Sequence, residues 1–375
     1  MKFEKPKKKP KASVVQTSRK APSPINFYGG WGENQALAGM FDSLREAVPI
    51  IDAAIDKILR LIGNVEIKCT TPSAQKYMDN FLDDVQVGAC GRGIKAFLHQ
   101  YLDRLLTWGT AVCEIIPYSD GTIAAIYCAN NKDINLLPGE NPLQIKICRN
   151  IPGEKKEIPH PDRVIVSALN PLPGEIQGTS ILKGLPFVSS VLLKIINTVG
   201  VNWERIGNLR YAVTYKPSGN ILDATLGADT LTQISTEWEK AMNSTEGVRD
   251  FVAVGDVDIK VIGADNQILD SEVPIRQMLE QIVAKLGIPP FMLGLSWSST
   301  ERMSQQQADI LTSELESYRM LLNPVIKKIC LWELRNAGFG DNIKIHWTDI
   351  NLQDQVEKAR AELYSAQAEN LSKTE

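Results

Sequence analysis

Histidine is the scarcest chemically versatile residue: His99, His160 and His346 stand far apart, with no cysteine or second histidine at ligand spacing. That pattern excludes the familiar zinc arrangements, and no metal site is expected. The six cysteines, Cys69, Cys90, Cys113, Cys128, Cys148 and Cys330, show no paired spacing and mostly sit in apolar runs, as buried free thiols of a reducing compartment do. There is no G-x-S-x-G, no P-loop and no H-E-x-x-H, so neither a catalytic residue nor a bound cofactor is expected, and the chain does not read as an enzyme. No apolar core follows the basic residues of the first segment, which therefore does not read as a signal peptide.

What is present is the composition of a soluble globular protein: 375 residues, 43% hydrophobic and 23% charged, enough for two or three modules. The net charge of -3 hides an asymmetry, because Met1 to Lys20 holds eight basic residues against Glu4 alone. With Pro6, Pro10, Pro22 and Pro24 and few apolar side chains, this arm buries too little surface to offset its chain entropy and reads as disordered. Contact with nucleic acid or an acidic protein, and a merely solvated tail, fit it equally.

From Phe41 to Ile62 apolar residues recur at helical spacing up to Gly63, predicting one helix facing a core. Val65 to Thr70 alternates as a strand, "SAQKYMDNFLDD" reads as a second helix, and "GACGRG" as a flexible turn without phosphate-binding spacing. "IKAFLHQYLDRLLTWG" is a helix ended by Gly109, and "TAVCEIIPYSDGTIAAIYCA" two strands joined at Ser119, Asp120 and Gly121, with Asp120 a turn residue. "LQIKICRN" and a segment near "DRVIVSAL" are expected to pair, completing an α+β module.

Gly178 to Asn208 is nearly all apolar or small, and a helix from Pro186 to Asn208 would span about 35 Å. It could almost cross a bilayer, but Lys194, Asn197, Asn202, Glu204 and Arg205 are frequent for a spanning segment, and burial between neighbouring subunits fits better. Tyr211 to Pro217 reads as a strand, "LTQISTEWEKAMNS" as a short helix, and "VRDFVAVGDVDIKVIG" as two strands parted by Gly255. A second helix, capped by Asp270 or Ser271, carries Ile275, Met278, Leu279, Ile282, Val283 and Leu286 as one stripe. Gly287, Pro289 and Pro290 in "LGIPPFMLG" then demand a rigid corner. Ser298 and Glu301 offer a capping box to a long helix whose Ala308, Leu311, Leu315, Tyr318, Leu322, Val325 and Ile329 form a seam, with a kink expected at Pro324. "NIKIHWTDIN" is a last strand, and a polar helix follows from Leu352.

The order of these elements resembles the portal proteins of tailed bacteriophages, in particular the shorter portals of long-tailed phages. "LLTWGTAVCEIIPYSDGTIAAIY" is similar to the family's wing segment, "DRVIVSALNPLPGEIQGTSIL" to the stretch before its first stem helix, ending in G-x-S-x-L. "IVAKLGIPPFMLG" with "SSTERMSQQQ" is similar to its stem-to-wing corner and following polar loop. The resemblance spans about Phe41 to Leu371.

It implies an α+β, portal-like subunit with an α/β wing, a two-helix stem, a small α/β clip, a long kinked helix and a short C-terminal helical crown. The implied boundaries are a basic arm over 1–26, wing over 27–178, stem helices over 179–209 and 268–287, clip over 210–263, the tunnel loop, long helix and rest of the wing over 288–350, and a crown helix over 351–375. It further implies a ring, usually of twelve subunits, at one capsid vertex of the virion, assembled in the host cytoplasm. Expected partners are double-stranded DNA bound non-specifically, the terminase large subunit, the major capsid protein, a scaffolding protein and a head-tail adaptor, with no membrane.

Ser298, Ser299, Thr300, Arg302, Gln305 and Gln306, within a tunnel loop over Ser296 to Gln305 and its exit, would face the DNA. Trp238, Glu239, Lys240, Arg249 and Asp250 of the clip would dock partners. A conduit needs a polar lining that grips phosphate weakly, which these hydroxyls and amides provide, although they serve equally to cap and solvate a helix. A membrane-inserting oligomeric pore and another ring of the phage neck or tail are the competing readings.

Overall fold

The structure is a computed structural model that describes residues 34–141, 143–151, 154–207, 210–215, 236, 257–262, 271–295, 301–340 and 342–350. It is a mixed α and β chain in two units, one of residues 1–189 with 281–375, the other of residues 190–280.

The first unit begins with α1 (Asn34–Ala47) and α2 (Pro49–Leu61). The single helix expected over 41–62 is thus broken, and Pro49 is the reason. It has no N–H to continue a helix and pushes Val48 out of the helical region (φ -126°, ψ 89°), but it is well placed in the first turn of α2. Gly63 takes φ +82° beyond α2, and β1 (Val65–Cys69) follows. α3 (Pro72–Asp84) and α4 (Gly93–Trp108) flank β2 (Gln86–Val87) and β3 (Gly91–Arg92), so "GACGRG" comprises the short turn of a β2-β3 hairpin, β3 itself and the first residue of α4. α4 buries Phe97, Tyr101, Leu102, Leu105 and Leu106 and packs on the sheet that follows.

That sheet has the order β3-β2-β5-β4-β9, with β4 (Thr110–Pro117), β5 (Ile123–Cys128) and β9 (Val164–Ala168) antiparallel and β2 parallel to β5. At the β4-β5 turn Asp120 Oδ1 accepts from the Thr122 amide (3.0 Å) and hydroxyl (2.7 Å), the turn role expected of it. The expected pairing of "LQIKICRN" with "DRVIVSAL" is not formed. β7 (Ile145–Ile151) pairs instead with β6 (Ile134–Pro138) and β8 (Glu154–Glu157) in a separate sheet, while β9 joins β4. Local hairpins satisfy β7 on both edges, and Val112, Ala129, Leu136, Ile147 and Val164 form the apolar cluster that the pairing creates.

α7 (Glu301–Asn336) continues through Pro324 and buries Ala308, Leu311, Leu315, Leu322, Val325 and Ile329, the seam read from the sequence, with Tyr318 half-buried. β12 (Ile343–Trp347) returns to pair antiparallel with β1. Three polar anchors tie α7 down, two of them buried and the third, Lys328, exposed. Arg319, 2% exposed, donates to the carbonyls of Ile62 (2.9 Å) and Thr348 (2.7 Å). Glu333, 3% exposed, accepts from the Tyr77 hydroxyl (2.6 Å) and the Ile123 amide (2.7 Å). Lys328 donates to the Val164 carbonyl (3.0 Å).

In the second unit the described parts are most of α5 (Leu185–Gly207), the antiparallel pair β10 (Arg210–Tyr215) and β11 (Val257–Ile262), and most of α6 (Glu272–Leu286). α5 begins at Leu185, with Pro186 in its first turn, and Ser271 directly precedes α6. The basic arm, Asp270, the short helix and first strand expected between 230 and 255, and the C-terminal helix lie outside the described residues.

Candidate functional site: the corner after α6

Ile282, Val283 and Leu286 anchor the end of α6, and Gly287 then turns left-handed at φ +69° while its amide still donates to the Val283 carbonyl (3.0 Å). The backbone is what requires glycine: a side chain would be strained at that φ, whereas the Glu314 carboxylate of α7, 2.7 Å from a Cβ built there, is a flexible end that can move aside. Ile288 is buried, Pro289 is extended (φ -54°, ψ 133°), and Pro290–Leu293 form one 3₁₀ turn closed by Gly294 at φ +76°. The corner predicted from "GIPP" is therefore present, and its apolar sequel is a single turn rather than a renewed α-helix.

A cleft of about 320 Å³ opens at this corner, lined by Leu169, Asn170 and Thr179–Ile181 on one side, Ala284–Gly287 on another, and Glu314, Ser317 and Tyr318 of α7. Burial raises the Glu314 carboxyl above its ordinary range. Burial and then the Glu314 charge push the Tyr318 phenol up to about 12. The same cleft thus gathers the residues just before α5 with the last turn of α6 and Gly287.

The G-x-S-x-L stretch explains how the residues just before α5 are held. The Gly178 amide donates to Thr110 Oγ1 (2.9 Å), buried Ser180 donates to the Thr107 carbonyl (2.6 Å) and accepts from the Leu182 amide (3.0 Å), and Leu182 and Leu185 are buried. Its function here is to fasten the entrance of α5 to the end of α4, a role that spacing alone does not reveal.

The tunnel-loop residues divide. Ser298, Ser299 and Thr300 lie outside the described residues, as does the Ser298 half of the expected capping box. Arg302, Gln305 and Gln306 are not on a loop but on the first turns of α7, which starts at Glu301; Arg302 and Gln306 are exposed and Gln305 is half-buried. The expected loop over 296–305 is shortened because α7 begins four residues before Gln305. Trp238, Glu239, Lys240, Arg249 and Asp250 lie outside the described residues.

A second cleft, of about 890 Å³, runs between β1, α3 and the start of α4, with Gln75, Asp79, Asp83, Arg92 and Lys95 among its lining. Among the described residues no group of three or more His, Cys, Asp or Glu could hold a metal ion. Within α5, Leu185–Trp203 is long and apolar enough to cross a membrane, and Ile196 is 49% and Trp203 61% exposed.

No family model matches the sequence, and no curated protein matches it. Solved structures do. A chain in the virion of the native gene transfer agent particle overlaps it with a TM-score of 0.63 at 15% identity, covering 90% of each chain. A chain in the neck of that particle, computed with C12 symmetry, overlaps with a TM-score of 0.61 at 14% identity, covering 87% of this chain and 88% of the other. A HK97 family phage portal protein from Corynebacterium diphtheriae reaches only 0.44 at 13% identity, covering 80% and 92%, an overlap below that of a common fold. In fold, therefore, this chain is similar along nearly its whole length to a chain of the gene transfer agent virion and neck.

Proposed function

We propose that the protein is a phage portal subunit, which assembles into a homo-oligomeric ring at one capsid vertex through which double-stranded DNA is packaged and ejected. The observation that carries this reading is the near full-length overlap with a chain in a particle neck of twelvefold symmetry. The exposed apolar stripe of α5 supports it, because a monomer leaves that surface in water and a ring covers it. Residues 27–178 are the N-terminal part of the wing, residues 179–209 and 268–287 the stem, residues 210–263 the clip, residues 288–350 the tunnel loop, the long helix and the rest of the wing, and residues 351–375 the crown.

In this reading the chain performs no chemistry. Ser298, Ser299, Thr300, Arg302, Gln305 and Gln306 face DNA with one cation among neutral groups, which limits counterion-release affinity and allows sliding. Trp238, Glu239, Lys240, Arg249 and Asp250 face the terminase large subunit during packaging and a head-tail adaptor afterwards. The major capsid protein and a scaffolding protein contact the ring from outside during assembly in the host cytoplasm, and the basic arm is free to meet either protein or DNA.

Native mass spectrometry of the purified protein, with negative-stain class averages, tests the proposal. A closed ring of about twelve subunits with a central hole is expected. A stable dimer at high concentration, with no ring at any salt concentration or with scaffold present, overturns it. The apolar length of α5 favours one competing reading, a membrane pore, and flotation with liposomes separates the two: a portal stays in the aqueous fraction.

A further inference from the structure

Cys113 of β4 and Cys128 of β5 are direct cross-strand partners. The neighbouring pair is hydrogen-bonded, the Ala129 amide donating to the Val112 carbonyl at 2.9 Å. Alternation along an antiparallel ladder therefore puts Cys113 and Cys128 in the non-hydrogen-bonded position, where Cα atoms lie about 4.5 Å apart and the side chains of one face come closest. That separation falls within the range of about 4.4 to 6.8 Å that a disulfide spans without backbone movement. Both thiols are free, Cys113 fully buried and Cys128 half-buried, so only Cys128 offers a reagent a way in.

We propose that Cys113 and Cys128 form a dithiol oxidation site, which a small peroxide closes into a cross-strand disulfide at the centre of the five-stranded sheet. The Cys128 thiol gives its proton to water and its thiolate attacks one peroxide oxygen. The O–O bond breaks, and the departing hydroxide takes up a proton to become water, leaving a sulfenic acid on Cys128. The Cys113 sulfur then attacks Cys128 Sγ: the S–S bond forms, the S–O bond breaks, and the departing hydroxide takes up the proton given up by the Cys113 thiol and leaves as a second water. Two thiols are oxidised by two electrons and one peroxide is reduced to two waters.

Burial sets both rate and outcome. It pushes the Cys128 thiol up to about 12, against the favourable charge of Arg104, and raises the Cys113 thiol as well, reinforced by Cys128 and opposed by Lys328. Thiolates are therefore rare and the reaction slow at neutral pH, which keeps the pair reduced during synthesis. The disulfide itself is uncharged, so the same burial places no penalty on the product.

The test uses the full-length protein and hydrogen peroxide, with the exposed Cys90 as an internal control for reagent activity. Exposure is continued well beyond complete oxidation of Cys90, to allow for the slow buried pair; the protein is then denatured in an alkylating reagent, digested without reductant and analysed by mass spectrometry. The expected result is one species joining the Cys113 and Cys128 peptides, two hydrogens lighter than their sum, which a phosphine reductant abolishes. Cys128→Ser and, separately, Cys113→Ala must each remove that species while Cys90 oxidation persists; either variant suffices if the other fails to fold. Recovery of Cys113 and Cys128 as separately alkylated peptides overturns the proposal, as does Cys128 oxidised to the sulfinic acid without linkage, or a linkage to any other cysteine.

Discussion

Gly109 and Gly178 lie backbone to backbone: a Cβ on Gly109 would stand 2.6 Å from the Gly178 carbonyl oxygen and 2.5 Å from the Ser180 amide nitrogen. Gly109 also holds φ +77°, the left-handed end of α4, so it answers to two constraints at once. Gly178→Ala is expected to cost about 3 kcal/mol or more, because the methyl meets the backbone of Gly109 and Leu169 and no flexible side chain can give way. Gly174→Ala is the control, with open space around its Cβ but φ +84°, and should cost about 1 kcal/mol. Urea denaturation of the two variants measures the difference.

Arg319 and Glu316 make a salt bridge of 2.7 Å whose two halves matter unequally. Arg319 is buried, donates to the Ile62 and Thr348 carbonyls and lies 5.1 Å from the Trp347 ring centre, joining α7 to the end of α2 and to β12. Arg319→Met leaves two backbone carbonyls without donors and should destabilise the protein by about 3 kcal/mol. The Glu316 side chain is 53% exposed, so Glu316→Gln should cost less than about 1 kcal/mol. Equal losses for the two in chemical denaturation would show that the ion pair, not the carbonyl bonds, holds α7 in place.

Much of this architecture was legible because it is periodic. The stripes of α3, α4 and α7, the glycine ends at Gly63, Gly109 and Gly287, and the β4-β5 hairpin all carry local signals that the structure keeps. β2 and β3 are two residues each, too short to show any period. The partners of β7 are its immediate sequence neighbours β6 and β8, joined through short hairpins that its own alternation does not mark. The split at Pro49 was readable, but the strong apolar spacing on both sides concealed it. At the corner, Gly287 and the prolines announced a turn, whereas Glu314 and Tyr318, which complete the cleft, come from α7 and had no sequence neighbour to mark them.

Alkaline stability should report on the buried phenols. Burial, reinforced by the Glu333 carboxylate, pushes Tyr77 up to about 12, and burial with Glu314 does the same for Tyr318, against an ordinary value of 10.0. The folded state holds these phenols protonated to a higher pH than the unfolded chain does. Their stabilisation is therefore whole below about pH 10 and is lost as pH rises from about 10 to about 12. The unfolding free energy should fall across that window, and Tyr77→Phe should flatten the fall while lowering stability at neutral pH through the lost bond to Glu333. Denaturation curves across the window, with phenolate absorbance of the native protein, measure both.

The last prediction concerns α5 and rests on the proposed ring. Leu193, Ile196, Gly200 and Trp203 follow one another at steps of three and four, so they share one face of the helix. Leu193 is 38%, Ile196 49% and Trp203 61% exposed, and nothing lies within 4 Å of a Cβ built on Gly200. An apolar face this open, with a gap at its middle, fits a neighbouring subunit better than water. Ile196→Asp places a charge there and should raise the concentration needed for ring formation at least tenfold, since desolvating an unpaired carboxylate in an interface costs several kcal/mol. In the isolated subunit the same side chain is half in water, and its unfolding free energy should change by less than about 1 kcal/mol. Native mass spectrometry across a dilution series reads the first quantity and urea denaturation the second. Rings of undiminished stability in the variant would remove α5 from the subunit interface, and loss of stability without loss of rings would place its apolar face within the subunit's own core.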